Sequence, residues 1–228
     1  MKRKTFITAL FLLLSTFALA QANDQLDNVL NSMDRAAANM KTVQTDFVWD
    51  QYTAVIQEHD NQEGTMYFRR NGNNVEMAAT ITKPQTKHIL FQNGIVQIYE
   101  PKIEQITKYN AGKNRDSFES FLVLGFGGRG HDLEKSFDLK YGGAETVNGT
   151  AAQKLVLTPK SEKIRNMFQA ITLWIDPARG ISVQQKFESS SGDYRLATYK
   201  NIKINSRLPD DIFRLKTNGK TKVITPQG

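Results

Sequence analysis

The first strong pattern along the chain is helical. Leu26, Val29, Leu30, Met33, Ala37 and Met40 recur at a 3.6-residue period behind Asn23 or Asp24, either of which can cap the first turn. This spacing predicts an amphipathic helix packed on a core. The period then changes to two. Val43, Thr45, Phe47 and Trp49 alternate with Gln44, Asp46 and Asp50, predicting a long strand with one apolar face. A polar turn is expected at Asp60 to Gly64. Met66, Phe68 and Arg70 then share one side of a strand, and Val75, Met77, Ala79 and Ile81 continue the meander as far as Lys83-Pro84. His88 to Gln92 and Ile95 to Tyr99 are joined by Asn93-Gly94, a pair that tolerates positive φ and predicts a two-residue hairpin. Val96 and Ile98 occupy one face of the second run, and Ile95, Gln97 and Tyr99 the other, so both sides of the sheet are expected to be covered.

From Asn110 to Gly130 the alternation stops. Asp116-Ser117-Phe118-Glu119 reads as a helix start, followed by Phe121, Leu122, Val123 and Leu124, which predicts a short helix apolar nearly all round. Strands resume at Phe137, Leu139 and Tyr141, turn at Asn148-Gly149, and continue through Leu155 and Leu157. Ile164, Met167 and Phe168 predict a short helix. Ile171, Leu173 and Ile175 precede the turn at Asp176 to Gly180, after which Ile181, Val183, Gln185 and Phe187 pair with Tyr194 to Ile204. The tail from Lys216 to Gly228 is basic and polar and is expected to be loose.

These runs add up to about eleven short strands without strand–helix alternation, which is an α+β architecture on a large antiparallel sheet. So many strands cannot remain open and flat, so the sheet is expected to curl into an unclosed barrel. Its concave side then needs a filling. The long N-terminal helix and the short apolar helix at Phe118 to Leu124 supply one, and leave room for a lipid if they can move.

Residues 1–22 change the picture of where the chain works. Lys2, Arg3 and Lys4 precede an apolar run from Phe6 to Leu19, and Ala20-Gln21-Ala22 fits a small-x-small cleavage site, with cleavage after Ala20 the alternative. The segment reads as a signal peptide and predicts an exported, periplasmic protein. Residues 23–228 are then expected to form a single domain, large enough to bury a core without staples. The chain has no cysteine, so neither a lipid anchor of its own nor a disulfide framework is expected. Without the three signal cations, 27 basic side chains face 23 acidic ones, a balance of about +4 that is too small and dispersed for nucleic acid.

Reactive chemistry is sparse. His59, His88 and His131 are far apart and lack metal-ligand spacing, so neither a metal nor a cofactor is expected. There is no G-x-S-x-G elbow, Ser189 to Ser191 fall in a hairpin loop, and Asp210-Asp211 read as turn residues. Gly125-Phe126-Gly127-Gly128-Arg129-Gly130 formally matches G-x-G-x-x-G, but no strand feeds it and no βαβ unit surrounds it. A flexible hinge beside a mobile lid fits the run better than a nucleotide site, and an ordinary Gly-rich loop is the commoner outcome for such a sequence. The chain reads as a binder, not an enzyme.

Several segments resemble one family. Asn93-Gly94, a strand, and Tyr99-Glu100-Pro101-Lys102-Ile103-Glu104-Gln105-Ile106-Thr107 are similar to the [DN]-G, strand, Y-x-P-x-x-E-Q-x-T segment of LolA-type lipoprotein carriers. Gly64-Thr65-Met66-Tyr67-Phe68-Arg69-Arg70 looks like the family's G-x-L-W-x-K-R, although Asn71 stands where the family has proline. Phe118 to Leu124 resembles its short lid helix, and Leu157-Thr158-Pro159-Lys160 and Leu208-Pro209-Asp210-Asp211-Ile212-Phe213 match later pieces, so the resemblance covers about residues 25–215. It implies a monomeric periplasmic carrier that takes acylated lipoproteins from an inner-membrane ABC exporter to an outer-membrane acceptor. It also implies that Arg70 latches the lid by hydrogen-bonding helix-end carbonyls. The cavity is then expected to be lined by Val43, Phe47, Trp49, Met66, Phe68, Val75, Met77, Leu90 and Ile98, with Phe118, Phe121 and Leu122 from the lid. A carrier of glycolipid or another lipid is the neighbouring reading. A lipid-sensing regulator resembling RseB is the other class, but such proteins carry a further C-terminal domain for which no room is expected here.

Overall fold

Alternation in the sequence becomes a single twelve-stranded sheet in the computed structural model, which describes residues 23–71, 74–110 and 124–226. The strands are β1 (Thr42–Thr53), β2 (Glu58–Asn71), β3 (Asn74–Lys83), β4 (Lys87–Gln92), β5 (Ile95–Glu100), β6 (Gln105–Asn110), β7 (Phe137–Val147), β8 (Thr150–Pro159), β9 (Ala170–Asp176), β10 (Ile181–Glu188), β11 (Tyr194–Ile204) and β12 (Lys222–Ile224). Their order is β12-β6-β5-β4-β3-β2-β1-β11-β10-β9-β8-β7. Two antiparallel meanders thus meet where β1 pairs with β11, and the sheet has two edges and does not close. Helix α1 (residues 23–39) precedes the sheet, and a single helical turn, α2 (Glu162–Arg165), joins β8 to β9.

The expected hairpins form for the expected reason. Asn93 and Gly94 take φ of 52° and 75°, and Asn148 and Gly149 take 47° and 80°, the paired positive values that match strand twist. Three expectations need correcting. Asp60 to Gly64 are part of β2, paired with Gln51 to Phe47 of β1; the turn is earlier, around Ala54–Gln57. The tail is not loose throughout, because Lys222–Ile224 add β12 in parallel to Gln105–Thr107 of β6. That strand brings the count to twelve and is the one parallel pairing among the described residues. The third correction, to Leu90, follows from how the two faces are covered. Residues 1–22 and the lid positions Phe118, Phe121 and Leu122 lie outside the described residues.

Core forms on both faces. On the concave face Val43, Phe47, Met66, Phe68, Val75, Ala79 and Ile81 pack with Met40 at the end of α1. Further along, Val29, Leu30 and Met33 of α1 pack on Leu155, Leu157, Ile171, Leu173 and Ile175. The stripe read from the sequence is therefore the face of α1 turned to the sheet. On the convex face Tyr67, Ala78 and Leu90 are covered by Leu208, Ile212, Phe213 and Leu215. This corrects the placement of Leu90. It pairs with Ala78, so the pleat puts it on the side opposite Ile89 and Phe91, away from the concave wall.

Candidate functional site

The concave wall of β1 to β5 is the candidate site. Val43, Phe47, Met66, Phe68 and Val75 are buried there, and Trp49 and Met77 are partly buried at its margin. Ile98 pairs with Ile89, which packs against the same cluster, so it belongs to this side. Phe47 and Trp49 stack with ring centroids 4.3 Å apart, extending the apolar strip toward the β1–β2 turn. A separate concavity of about 830 Å³ is lined largely by polar side chains, among them Gln44, Asp46, Asn148, Lys200 and Lys203, which suits it poorly to an acyl chain.

What covers the wall is the Gly-rich loop as well as α1. Leu124 to Gly127 are buried, and Phe126 (2 % exposed) inserts among the wall residues, edge-on to Tyr199 at 4.7 Å. Gly125 and Gly127 take φ of +76° and +83°, so the backbone can fold back under the ring. The segment expected to serve as a hinge is thus a seated plug in this state.

The plug is held by a few polar groups. Gln185 Nε2 donates to the Leu124 carbonyl (2.6 Å) and the Ser182 amide donates to Gly125 O (2.8 Å). Tyr199 OH donates in turn to Gln185 Oε1 (3.0 Å), and burial pushes its phenol well above the ordinary range, so it stays a neutral donor. Arg70 spans both halves of the cover. Its Nη1 donates to Ala37 O at the end of α1 (3.1 Å) and its Nη2 to Gly127 O (2.7 Å). A partly buried guanidinium at the end of β2 is thereby satisfied by carbonyls that the helix end and the loop leave unpaired.

A second clasp lies at the outer end of the loop. His131 Nδ1 and Asp34 Oδ2 are 2.7 Å apart, and His131 Nε2 lies 3.2 Å from Asp27 Oδ1, tying the loop to α1. These contacts raise the pKa of His131. Burial alone would raise that of Asp34, but the hydrogen bonds from His131 hold it below its ordinary value. The signs follow from linkage. The His131 contribution is complete below its unfolded value of 6.5 and is lost as pH rises through the raised folded value. The Asp34 contribution is complete above 3.8 and is lost as pH falls through the lowered one. The clasp is therefore strongest in weak acid. Melting temperatures of the protein and of His131→Gln should differ most near about pH 5.5 and converge near about pH 8.5. A constant difference across that range would refute the assignment.

Sequence reasoning singled out most of the residues found on this wall, and Arg70, but did not single out Phe126, Tyr199 and Gln185. Phe126 was hidden inside a glycine motif. Tyr199 and Gln185 sit on strands whose alternation carries a buried polar pair on the apolar side.

An open sheet with one apolar face, capped by a helix and a loop on a small number of polar contacts, defines a protein that shelters an apolar ligand. Residues 38–216 match the family described as outer membrane lipoprotein carrier protein LolA, and the chain belongs to that family. No protein of curated function matches the sequence. Among solved structures, the fold is similar to that of an uncharacterized conserved protein from Thermus thermophilus (TM-score 0.56, 13% identity, covering 88% of this chain and 98% of that one). It is also similar to MucB (0.54, 16%, 86% and 63%) and to the Pseudomonas aeruginosa MucA/MucB complex (0.51, 13%, 84% and 61%). The chain spans 63% of the length of MucB. At these identities the likeness is one of fold alone. No helix among the described residues is long and apolar enough to cross a membrane.

Proposed function

We propose that the protein is a periplasmic carrier that shelters the acyl chains of lipoproteins on its concave wall. In this reading it takes cargo from an inner-membrane ABC exporter and passes it to an outer-membrane acceptor. One observation carries the proposal: the apolar wall is closed by a plug that a few of the protein's own polar groups hold. Each methylene moved from water to an apolar site is worth roughly 0.8 kcal/mol, so one long acyl chain is worth on the order of 10 kcal/mol. A permanently empty cavity would bind such cargo too tightly to release it. Exchange is easier if Phe126 and Met40 refill the wall as the chain leaves. Arg70 acts as the latch in this scheme, and Val43, Phe47, Trp49, Met66, Phe68, Val75, Met77 and Ile98 are the wall residues in contact with cargo.

Native mass spectrometry of the mature protein from its own periplasm, prepared without detergent, tests the reading. Co-purified triacylated protein is expected. A co-purified free lipid or glycolipid would redirect it to lipid cargo. A bare mass at every gentle setting, together with normal outer-membrane lipoprotein levels after depletion, would sink it.

A further inference from the structure

The concave face carries a cation that the closed cover does not use. Arg195 of β11 lies across from Gln51 of β1 and Phe187 of β10, so the three form a row over the apolar side at the end of the sheet near the β1–β2 turn. Its guanidinium carbon is 5.5 Å from the centre of the Trp49 ring and 5.6 Å from that of Phe187. Two aromatic rings thus attract its charge while leaving its N–H donors free. Among the described residues no carboxylate or hydrogen-bond acceptor engages it, in contrast to Arg70 and Arg69. Arg195 keeps access to solvent, yet the protein atoms crowded around it still disfavour its charged form.

A pocket of about 250 Å³ opens beside it, lined by Gln51, Phe168, Phe187, Ser189, Asp193 and Arg195 among others. Asp193, the carboxylate in that lining, is already committed. Its Oδ1 accepts from the Ala54 amide (2.8 Å) and its Oδ2 from Ser191 Oγ (2.7 Å), which holds it to the two hairpin turns, and it forms no ion pair with Arg195. The Phe47–Trp49 stack leads from the buried wall directly to this place. An amphiphile with its chains on the wall would therefore present its headgroup to a planar, unpaired cation.

Resting on the part of the carrier reading that places acyl chains on the wall, and taking a lipid as cargo because the acylated cysteine of a lipoprotein carries no anionic headgroup, we infer that Arg195 receives such a headgroup, a phosphate or similar oxyanion ester, at the open end of the acyl site. A guanidinium fork matches such an oxyanion bidentately, and neighbouring aromatic rings hold its plane. Gln51 stands across the row as a second donor.

The test uses two soluble probes that differ only in the charged group, a short-chain phosphatidate and the matching diacylglycerol, with inorganic phosphate as a third arm. The mature protein is expected to prefer the phosphatidate by about tenfold, the scale of a charge-assisted hydrogen-bonded pair. In Arg195→Gln that ratio should fall to about one, and in Arg195→Lys it should be intermediate. A ratio is read because a folding defect would weaken both probes together. Equal affinity in the unaltered protein, or a preference that survives Arg195→Gln, overturns the inference and leaves the carrier reading standing. Inorganic phosphate binding as tightly as phosphatidate also overturns it, since the anion alone would then be the ligand. Binding of neither amphiphile also overturns the inference, and the native mass spectrometry described above then decides the carrier reading separately.

Discussion

Replacing Arg70 with alanine is expected to raise the apparent affinity for an acylated ligand by about 30-fold, while the unliganded protein becomes less stable. Both effects follow from the same two hydrogen bonds. Arg70 joins Ala37 O of α1 to Gly127 O of the plug, so it stabilises only the closed cover. Hydrogen bonds from a charged donor contribute roughly 1.5–3 kcal/mol each, and some of that is recovered when the freed carbonyls meet water in an opened cover. A net loss of about 2 kcal/mol from the closed state shifts the closed–open balance by about 30-fold. If closed molecules dominate, the competent fraction and the apparent affinity rise together. Arg70→Lys should lie between, because one ammonium lacks the planar fork that serves two carbonyls. Titration with a fluorescent acyl probe reads the affinity, and hydrogen exchange at Leu124 to Gly130 reads the opening. Unchanged affinity with unchanged protection would show that Arg70 does not hold the cover.

How far the sequence carried the structure differs from element to element. Helix α1 and the hairpins at Asn93-Gly94 and Asn148-Gly149 were legible because their signals are local: a period, a cap, a pair of residues that accept positive φ. The wall residues of β1 to β3 were legible because one face there is consistently apolar. Leu90 was misplaced because β4 is apolar on both faces, and only its register against Ala78 decides the side. The convex cover could not be read either, since Phe213 reaches Leu90 and Ala78 from more than a hundred residues away. Asp60 to Gly64 look like a turn by composition, but a polar hairpin end that projects into solvent carries the same composition. Arg195 was silent for a related reason. A cation on a strand normally marks the wet face, and only the pairing with Gln51 and Phe187 places it over Trp49.

The second large effect concerns the other half of the cover. Gly180→Ala should lower the melting temperature by about 10 °C and strip hydrogen-exchange protection from α1, although the residue lies in a turn and outside the strands that form the wall. Gly180 takes φ of +63°, and a Cβ there would collide with the Ser32 carbonyl oxygen of α1 and lie 2.9 Å from Ala36 Cβ. The left-handed conformation costs a non-glycine residue roughly 1–2 kcal/mol. The collision adds to this because neither backbone can yield without lifting α1 from Leu155, Leu157 and Leu173, so a total of about 3–4 kcal/mol is expected. Gly149→Ala separates the two contributions. Its φ is +80° but nothing lies within 4 Å of the added carbon, so it should lower the melting temperature by only about 3–6 °C. Helix α1 supplies Ala37 O to the latch and Met40 to the wall, so loosening it should also admit the acyl probe more readily. Equal losses in the two variants would mean that α1 does not depend on the β9–β10 turn for its seat. The plug alone would then govern access to the wall.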